Sequence, residues 1–403
     1  MKVILAGRLI DGTEQPSQLN VALLVEEDKI VEIVPQDQLK ELPEDCERID
    51  LKEYTVLPGL IDGHLHLSFS CTFNPLVELF QEEDEVIALR ILKNAEEALK
   101  AGITTVRDCA AKGNSIMKVR DAIKKGWFEA SEIICCGMPI TTTGGHLHFM
   151  GQECDTQDEV RKAIRLAHKQ EADFIKVMVS GGNMTHGSNS RMNQYDLEML
   201  KLIVDESHQL GKKVSAHVHT VEGIRNCVEA GVDTLEHCSY LTESGMEYDA
   251  DLAEKIREKG LFVCPAMGKA YTLPPEQGAP LPEKIAMWAE FTGGRFETTR
   301  RMYQQGVKIF AGTDGGCKLT KPGDYYETLK TLHEKVGMTK EDVIRSATTV
   351  AAGALGIEDR VGSLRRGMQA DIIAVEGNPQ ETLESLGKIA FVMKKGSVVK
   401  SRV

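Results

Sequence analysis

Residues 56–67 read VLPGLIDGHLHL, an apolar run broken early by Pro58-Gly59 and ending in two histidines one residue apart. In extended backbone alternate side chains share a face, so His64 and His66 project together while Leu65 and Leu67 point the other way. That geometry permits chelation. It does not establish it, because imidazole is both a common metal ligand and an ordinary hydrogen-bonded group of protein interiors.

Seven further apolar, β-rich runs follow: ITTVRDCA (103–110), SEIICCG (131–137), DFIKVMVS (173–180), KVSAHVHT (213–220), DTLEHCS (233–239), LFVCPA (261–266) and VKIFAGTD (307–314). Segments of helical periodicity lie between them, such as Val160, Ala163, Ile164 and Ala167, or Leu197, Leu200, Ile203 and Val204. Strand and helix in alternation imply parallel strands joined by crossover helices. Eight such units over residues 56–355 predict an α/β chain of the (β/α)8 TIM-barrel class. An open doubly wound sheet would carry a glycine-rich nucleotide fingerprint after an early strand, and none is present. Residues 1–55 and 356–403 have another texture, short β runs with glycine turns (KVILAG, VALLVEEDKIVEIV, IAFVMKKGSVVK). They predict one small, antiparallel β domain built from both ends of the chain.

The composition of the 403 residues, 42% hydrophobic and 27% charged, is that of an ordinary globular protein able to bury a large core. A net charge of −13, with no long basic run, argues against nucleic acid and anionic membrane surfaces as partners. The opening MKVILAGRLIDGTEQ is interrupted by Arg8 and Asp11 too soon for a signal peptide or a membrane span, and the expected location is the cytoplasm. Ten cysteines are scattered, with Cys135 and Cys136 the only close pair and no C-x-x-C. Free buried thiols are expected rather than a disulfide framework or a cysteine zinc site.

Parallel barrel strands are nearly continuous apolar runs, so a titratable group inside one is costly unless partnered. Here His64 and His66, Lys176, His217 and His219, His237 and Asp314 break five of the eight runs. They fall toward the C-terminal ends, where barrel enzymes carry their chemistry. His168, His208 and His333 lie in helical patterns and read as surface residues. Singly, His217 could be a core histidine, Lys176 an ion-pair partner and Asp314 a turn cap. Together, four of these imidazoles, a carboxylate and a lysine make a metal-ligand set. The lysine is the odd member, because an ammonium has no lone pair to give a cation.

These motifs in this order (LPGLIDGHLHL, AGITTVRD, TTTGGH, FIKVMVSGG, AHVHT, GVDTLEHCS, AGTDGG and the closing VGSLRRGMQADIIAVEGNP) resemble the amidohydrolase superfamily over almost the whole chain. The similarity is to the branch of imidazolonepropionase-like and Xaa-Pro dipeptidase-like hydrolases. It implies a barrel with a small β-sandwich from both termini and two divalent metal ions, expected to be zinc. By position, His64, His66 and Asp314 would bind the more buried ion and His217 and His237 the more exposed one. Lys176 would be carboxylated by carbon dioxide to a carbamate bridging both. The resemblance implies amide hydrolysis by a metal-bridging hydroxide, with Asp314 as the proton carrier.

His146 and His219 stand where that branch contacts the substrate carbonyl or α-carboxylate, although dipeptidase-like relatives often carry tyrosine at the second place. The polar loop SGGNMTHGSNSRMNQYD (180–196) would lie over the barrel mouth. Arg191 and His186 are its candidates for a substrate carboxylate, and Phe149, Met150 and Tyr195 for an apolar wall. The expected substrate is a small molecule, a dipeptide or N-acyl amino acid, with a cyclic amide or carbamate as the alternative. Ring deamination by a single metal is disfavoured by Lys176, and a non-catalytic scaffold by the filled ligand positions. Self-association into a homo-oligomer is expected from the same resemblance.

Overall fold

The computed structural model describes residues 1–39, 43, 46–269, 282–317 and 319–402, and of residues 282–289 the backbone only. Eight strands form the barrel: Leu60–Leu65, Ile103–Asp108, Glu132–Cys135, Ile175–Met178, Val214–Thr220, Thr234–Leu241, Phe262–Cys264 and Lys308–Ile309. They are the eight apolar runs of the sequence, and the paired neighbours run parallel. The third strand continues in a short piece, Ile140–Thr141, which pairs with Val177 of the fourth.

The crossover helices bury the faces that their periodicity marks. In the helix Gln157–Lys169 the buried positions are Val160, Ala163, Ile164 and Ala167. Its start is fixed by a capping box, in which Thr156 accepts from the Glu159 backbone N–H and the Glu159 carboxylate accepts in return. Leu200, Ile203 and Val204 do the same work in Leu197–Gln209, which opens on Asp196 as N-cap. These apolar stripes and the strands share one large core around the barrel wall.

Both ends of the chain meet in one seven-stranded sheet, ordered Ser397–Ser401, Ile389–Lys394, Ile372–Glu376, Glu47–Pro58, Lys2–Leu9, Gln18–Glu26, Lys29–Pro35. Ile4, Leu23, Leu51, Val56, Ile372 and Phe391 form the buried core of this β domain beside the barrel, whose seven strands are paired in one continuous order. One expectation is corrected here. The sheet is mixed, because Lys2–Leu9 pairs in parallel with Glu47–Pro58, Val3 opposite Arg48 and Leu9 opposite Val56. The hairpin of Gln18–Glu26 and Lys29–Pro35 intervenes, so the chain re-enters at the end where it began. Glu47–Pro58 also runs past residue 55 and leads through Gly59 into the first barrel strand.

The eighth strand is shorter than its sequence run because its continuation bonds irregularly to the first. Gly63 N–H donates to Ala311 O at 2.9 Å, Asp314 N–H to His64 O at 2.8 Å and His66 N–H to Gly315 O at 2.7 Å. This seam closes the barrel with backbone lying directly on backbone. At Gly316, φ is +91° and a Cβ would stand 1.9 Å from the His66 carbonyl oxygen. At Gly312 it would stand 2.7 Å from the His64 Cβ. Gly316→Ala is therefore expected to cost about 2 kcal/mol or more in urea unfolding, from left-handed strain and overpacking together. A loss under about 0.5 kcal/mol, the scale of a neutral surface change, would contradict this reading of the seam.

Candidate metal centre

The seam carries the first group of donors. His64 and His66 are 1% and 5% exposed, and Asp314 follows from the eighth strand with a side chain 20% exposed. Asp314 Oδ1 lies 3.4 Å from His66 Nε2 and 3.7 Å from His64 Nε2. Each imidazole is turned by a bond at its other nitrogen, His64 Nδ1 to Glu236 Oε2 at 2.7 Å and His66 Nδ1 to Ala110 O at 3.2 Å. Asp314 is held at φ +55° and His237 at φ +66°, left-handed backbone that a non-glycine residue adopts only under constraint from its surroundings.

The second group comes from strands five and six. Donor atoms of His217, His219 and His237 lie within 4.8 Å of one another, as do those of His64, His66 and Asp314. The His64 and His237 rings, 5.2 Å apart, join the two groups, and the His146 ring stands 4.5 Å from that of His217. Lys176, from strand four, is 2% exposed. Among the described residues its Nζ and His237 Nδ1 are buried with no hydrogen-bond partner.

Electrostatics put most of these groups in their ligating forms; His66 is the exception, because burial would lower its imidazole but the bond to Asp314 and that carboxylate's charge raise it. Burial, then the charge of Lys176, drives the His64 imidazole down to about 4 against the pull of Glu236. Burial, then the charges around it, takes His146 down to about 3, and His217, His219 and His237 lie well below the ordinary value for the same first reason. Burial would raise Asp314, but the His66 bond and the charges of His64 and His66 hold it below the usual carboxylate range. Neutral imidazoles and an ionised carboxylate are what a divalent cation binds. An unpartnered ammonium among them costs several kcal/mol unless its character changes. A carbamate on Lys176 would replace that cation by an anion with two donor oxygens, and the donor set then fits two divalent ions.

His146 is also brought to the site; its Nδ1 lies 3.1 Å from Thr185 Oγ1, and Gly182 leaves room for the ring, since a Cβ there would be 2.3 Å from it. His219 is fixed by Ser239 Oγ, 2.9 Å from its Nδ1. Two expected loop residues are not brought in. Tyr195 is buried in the barrel core and its hydroxyl donates to Cys154 O at 2.7 Å, so the phenol is no wall of the mouth. Arg191 is exposed and its guanidinium donates to the carbonyls of Thr242 and Gly245, tying the loop to the exit of strand six. His186 is exposed, Met150 lies in the core, and Phe149 packs edge-on to Phe80 at 5.0 Å. The mouth itself is a cavity of about 530 Å³ with Phe73, Leu76, Val77, Met184 and Phe291 in its wall and Asp314 at its edge.

Sequence reasoning missed the layer beneath. Glu236 Oε1 accepts from Arg107 Nη2 at 2.6 Å, Thr234 Oγ1 at 2.7 Å and Ser215 Oγ at 2.8 Å. Burial would raise this carboxyl, and the Arg107 guanidinium reverses that and holds it ionised. Asp62 accepts from Thr313 Oγ1 at 2.6 Å across the seam, and Asp108 from the Leu67 N–H at 2.7 Å. The signal was present, since each is a charged residue within a strand run. A second cavity of about 340 Å³, at the other end of the barrel, has its cations paired, as Arg360 is with Glu132 at 2.7 Å.

Residues 55–399 match the model of the amidohydrolase family. The chain is 30% identical to ochratoxinase of Aspergillus niger, with 99% of the chain and 86% of that protein covered. It is 23% identical to imidazolonepropionase of Fusobacterium nucleatum, over 92% of the chain and 89% of that protein. Among solved structures, a Xaa-Pro dipeptidase with bound methionine in the active site superposes with a TM-score of 0.89 at 29% identity, covering 99% of this chain and 100% of that one. No helix among the described residues is long and apolar enough to cross a membrane. With this match over most of its length, the chain belongs to the amidohydrolase family and is a hydrolase acting on carbon–nitrogen bonds.

Proposed function

We propose that the chain cleaves the amide bond of a small N-acyl amino acid or dipeptide at a centre of two zinc ions. His64, His66 and Asp314 would hold one ion, His217 and His237 the other, and Lys176, as a carbamate, would join them. The observation that carries this reading is the Lys176 Nζ, buried with no hydrogen-bond partner among the described residues, on a barrel strand beside the converging imidazoles and the Asp314 carboxylate. Two such cations would acidify a water held between them and polarise the scissile carbonyl.

The chain's own groups divide the remaining work. Ionised Asp314 takes the proton of the attacking water at a carboxylate oxygen and returns it to the leaving nitrogen, so the amine departs neutral. His219, with Nδ1 engaged by Ser239, keeps Nε2 for the substrate carbonyl, and His146, its ring 4.5 Å from that of His217, is left for the carboxylate. Arg191 and Tyr195 have no part in this scheme: Arg191 is exposed with Nη1 donating to the Thr242 carbonyl, and the Tyr195 hydroxyl donates to Cys154 O. A relative with methionine in its active site supports release of an amino acid, and the apolar mouth suits an uncharged acyl group.

Asp314→Asn keeps an oxygen ligand but no base. It is expected to retain metal while kcat falls roughly a hundred- to ten-thousand-fold on the best substrate of a panel of dipeptides, N-acyl amino acids and cyclic amides. A rate within tenfold of wild type would remove Asp314 from proton transfer. For His146→Ala the expected change is a higher KM for substrates with a free carboxylate and no comparable change for their amidated analogues. An equal effect on both would take the carboxylate role from His146.

A further inference from the structure

We infer that Glu236, anchored by Arg107, is a positioning residue that selects the tautomer of His64 and so governs one of the two metal positions from the barrel floor. The inference rests on the metal-centre reading above and concerns residues outside its ligand set.

Oε1 of Glu236 is engaged by Arg107 Nη2, Ser215 Oγ and Thr234 Oγ1 at 2.6–2.8 Å. A carboxylate has no proton to give, so Oε2, 2.7 Å from His64 Nδ1, can only accept. His64 must therefore carry its proton on Nδ1 and turn the Nε2 lone pair toward Asp314, 3.7 Å away. Arg107 cannot swing off, since its Nε donates to Gly63 O at 2.7 Å and its Nη1 to Thr234 Oγ1 at 3.1 Å. The guanidinium is also flanked by the Phe174 and Phe310 rings, each 5.2 Å from Cζ. Gly63 directly precedes His64, so the same arginine sets both the backbone and, through Glu236, the ring. Arg107, Glu236, His64, Ser215 and Thr234 are each at most 3% exposed, and Arg107, Ser215 and Thr234 also border the cavity at the other end of the barrel.

Replacing Glu236 by glutamine sharpens the case. The three donors at Oε1 would retain the amide oxygen there and turn the NH2 toward His64. Nδ1 would then have to accept, the ring proton would move to Nε2, and the lone pair facing the site would be lost.

The test is zinc titration of the full-length chain against a competing chelator. For Glu236→Gln the expected result is a 10–100-fold loss of affinity for one of the two ions, with the other unchanged. Because that variant leaves Arg107 buried and unpaired, the double variant Arg107→Met, Glu236→Leu is measured beside it. It has no buried charge to destabilise it and should lose affinity for the same ion. Unchanged affinity for both ions, or equal loss of both, in a folded variant would overturn the inference. A wild-type chain that binds no zinc would instead overturn the reading beneath it, and the inference with it. A crystal structure of the zinc-loaded wild type needs no variant to fold: coordination through His64 Nε2 with Nδ1 on Glu236 supports the proposal, and coordination through Nδ1 overturns it.

Discussion

The backbone N–H of Asp314 donates to the carbonyl oxygen of His64 at 2.8 Å, and the His66 N–H to Gly315 at 2.7 Å, where the last barrel strand meets the first. Residues more than 240 positions apart in sequence are thereby held within one hydrogen bond of each other's backbone, and three prospective ligands converge without any side-chain search. The closure is possible only because Gly312 and Gly316 present no Cβ to the opposing strand. Asp62 reinforces it by accepting from both the hydroxyl and the N–H of Thr313. Barrel closure and site assembly are here one event, and strain in the left-handed Asp314 is tolerated because the seam over-determines it.

Around the seam the barrel gathers an unusual density of buried polar groups, and their charges have to balance. Arg107 and Glu236 neutralise each other on the floor. Above them, burial holds the imidazoles of His64 and His217 neutral, while His66 and Asp314 face each other, the imidazole raised and the carboxylate held anionic by their contact. Lys176 stands among these groups with no hydrogen-bond partner among the described residues, its charge felt by His64, His146, His217, His219 and Glu236 alike. Conversion to a carbamate with two divalent cations bound would satisfy all of these groups together, which a single ion or a plain ammonium would not.

Much of this was legible in the sequence for a physical reason. A parallel strand buried on both faces is written almost wholly in apolar residues, so His64, His217 and Asp314 stand out by position as well as type. The strand ends then follow from chain direction alone. What escaped depends on partners that only the fold supplies. Arg191 and Tyr195 have the right chemistry for a binding loop, yet Nη1 of the one and the hydroxyl of the other donate to carbonyls of Thr242 and Cys154. Glu236 was in view beside His237, but a glutamate on the opposite face of a strand says nothing of an arginine 129 residues earlier. The parallel pairing of the first strand was hidden for the same reason, since a hairpin between two strands leaves either direction open.

The central claim is that Lys176 completes a two-metal centre. Metal content per chain, measured on the wild type purified with zinc and bicarbonate and on Lys176→Ala treated identically, addresses it most directly. The account predicts about two zinc ions per wild-type chain and a clear loss in the variant. One ion or none in the wild type, or an undiminished pair in Lys176→Ala, would contradict it.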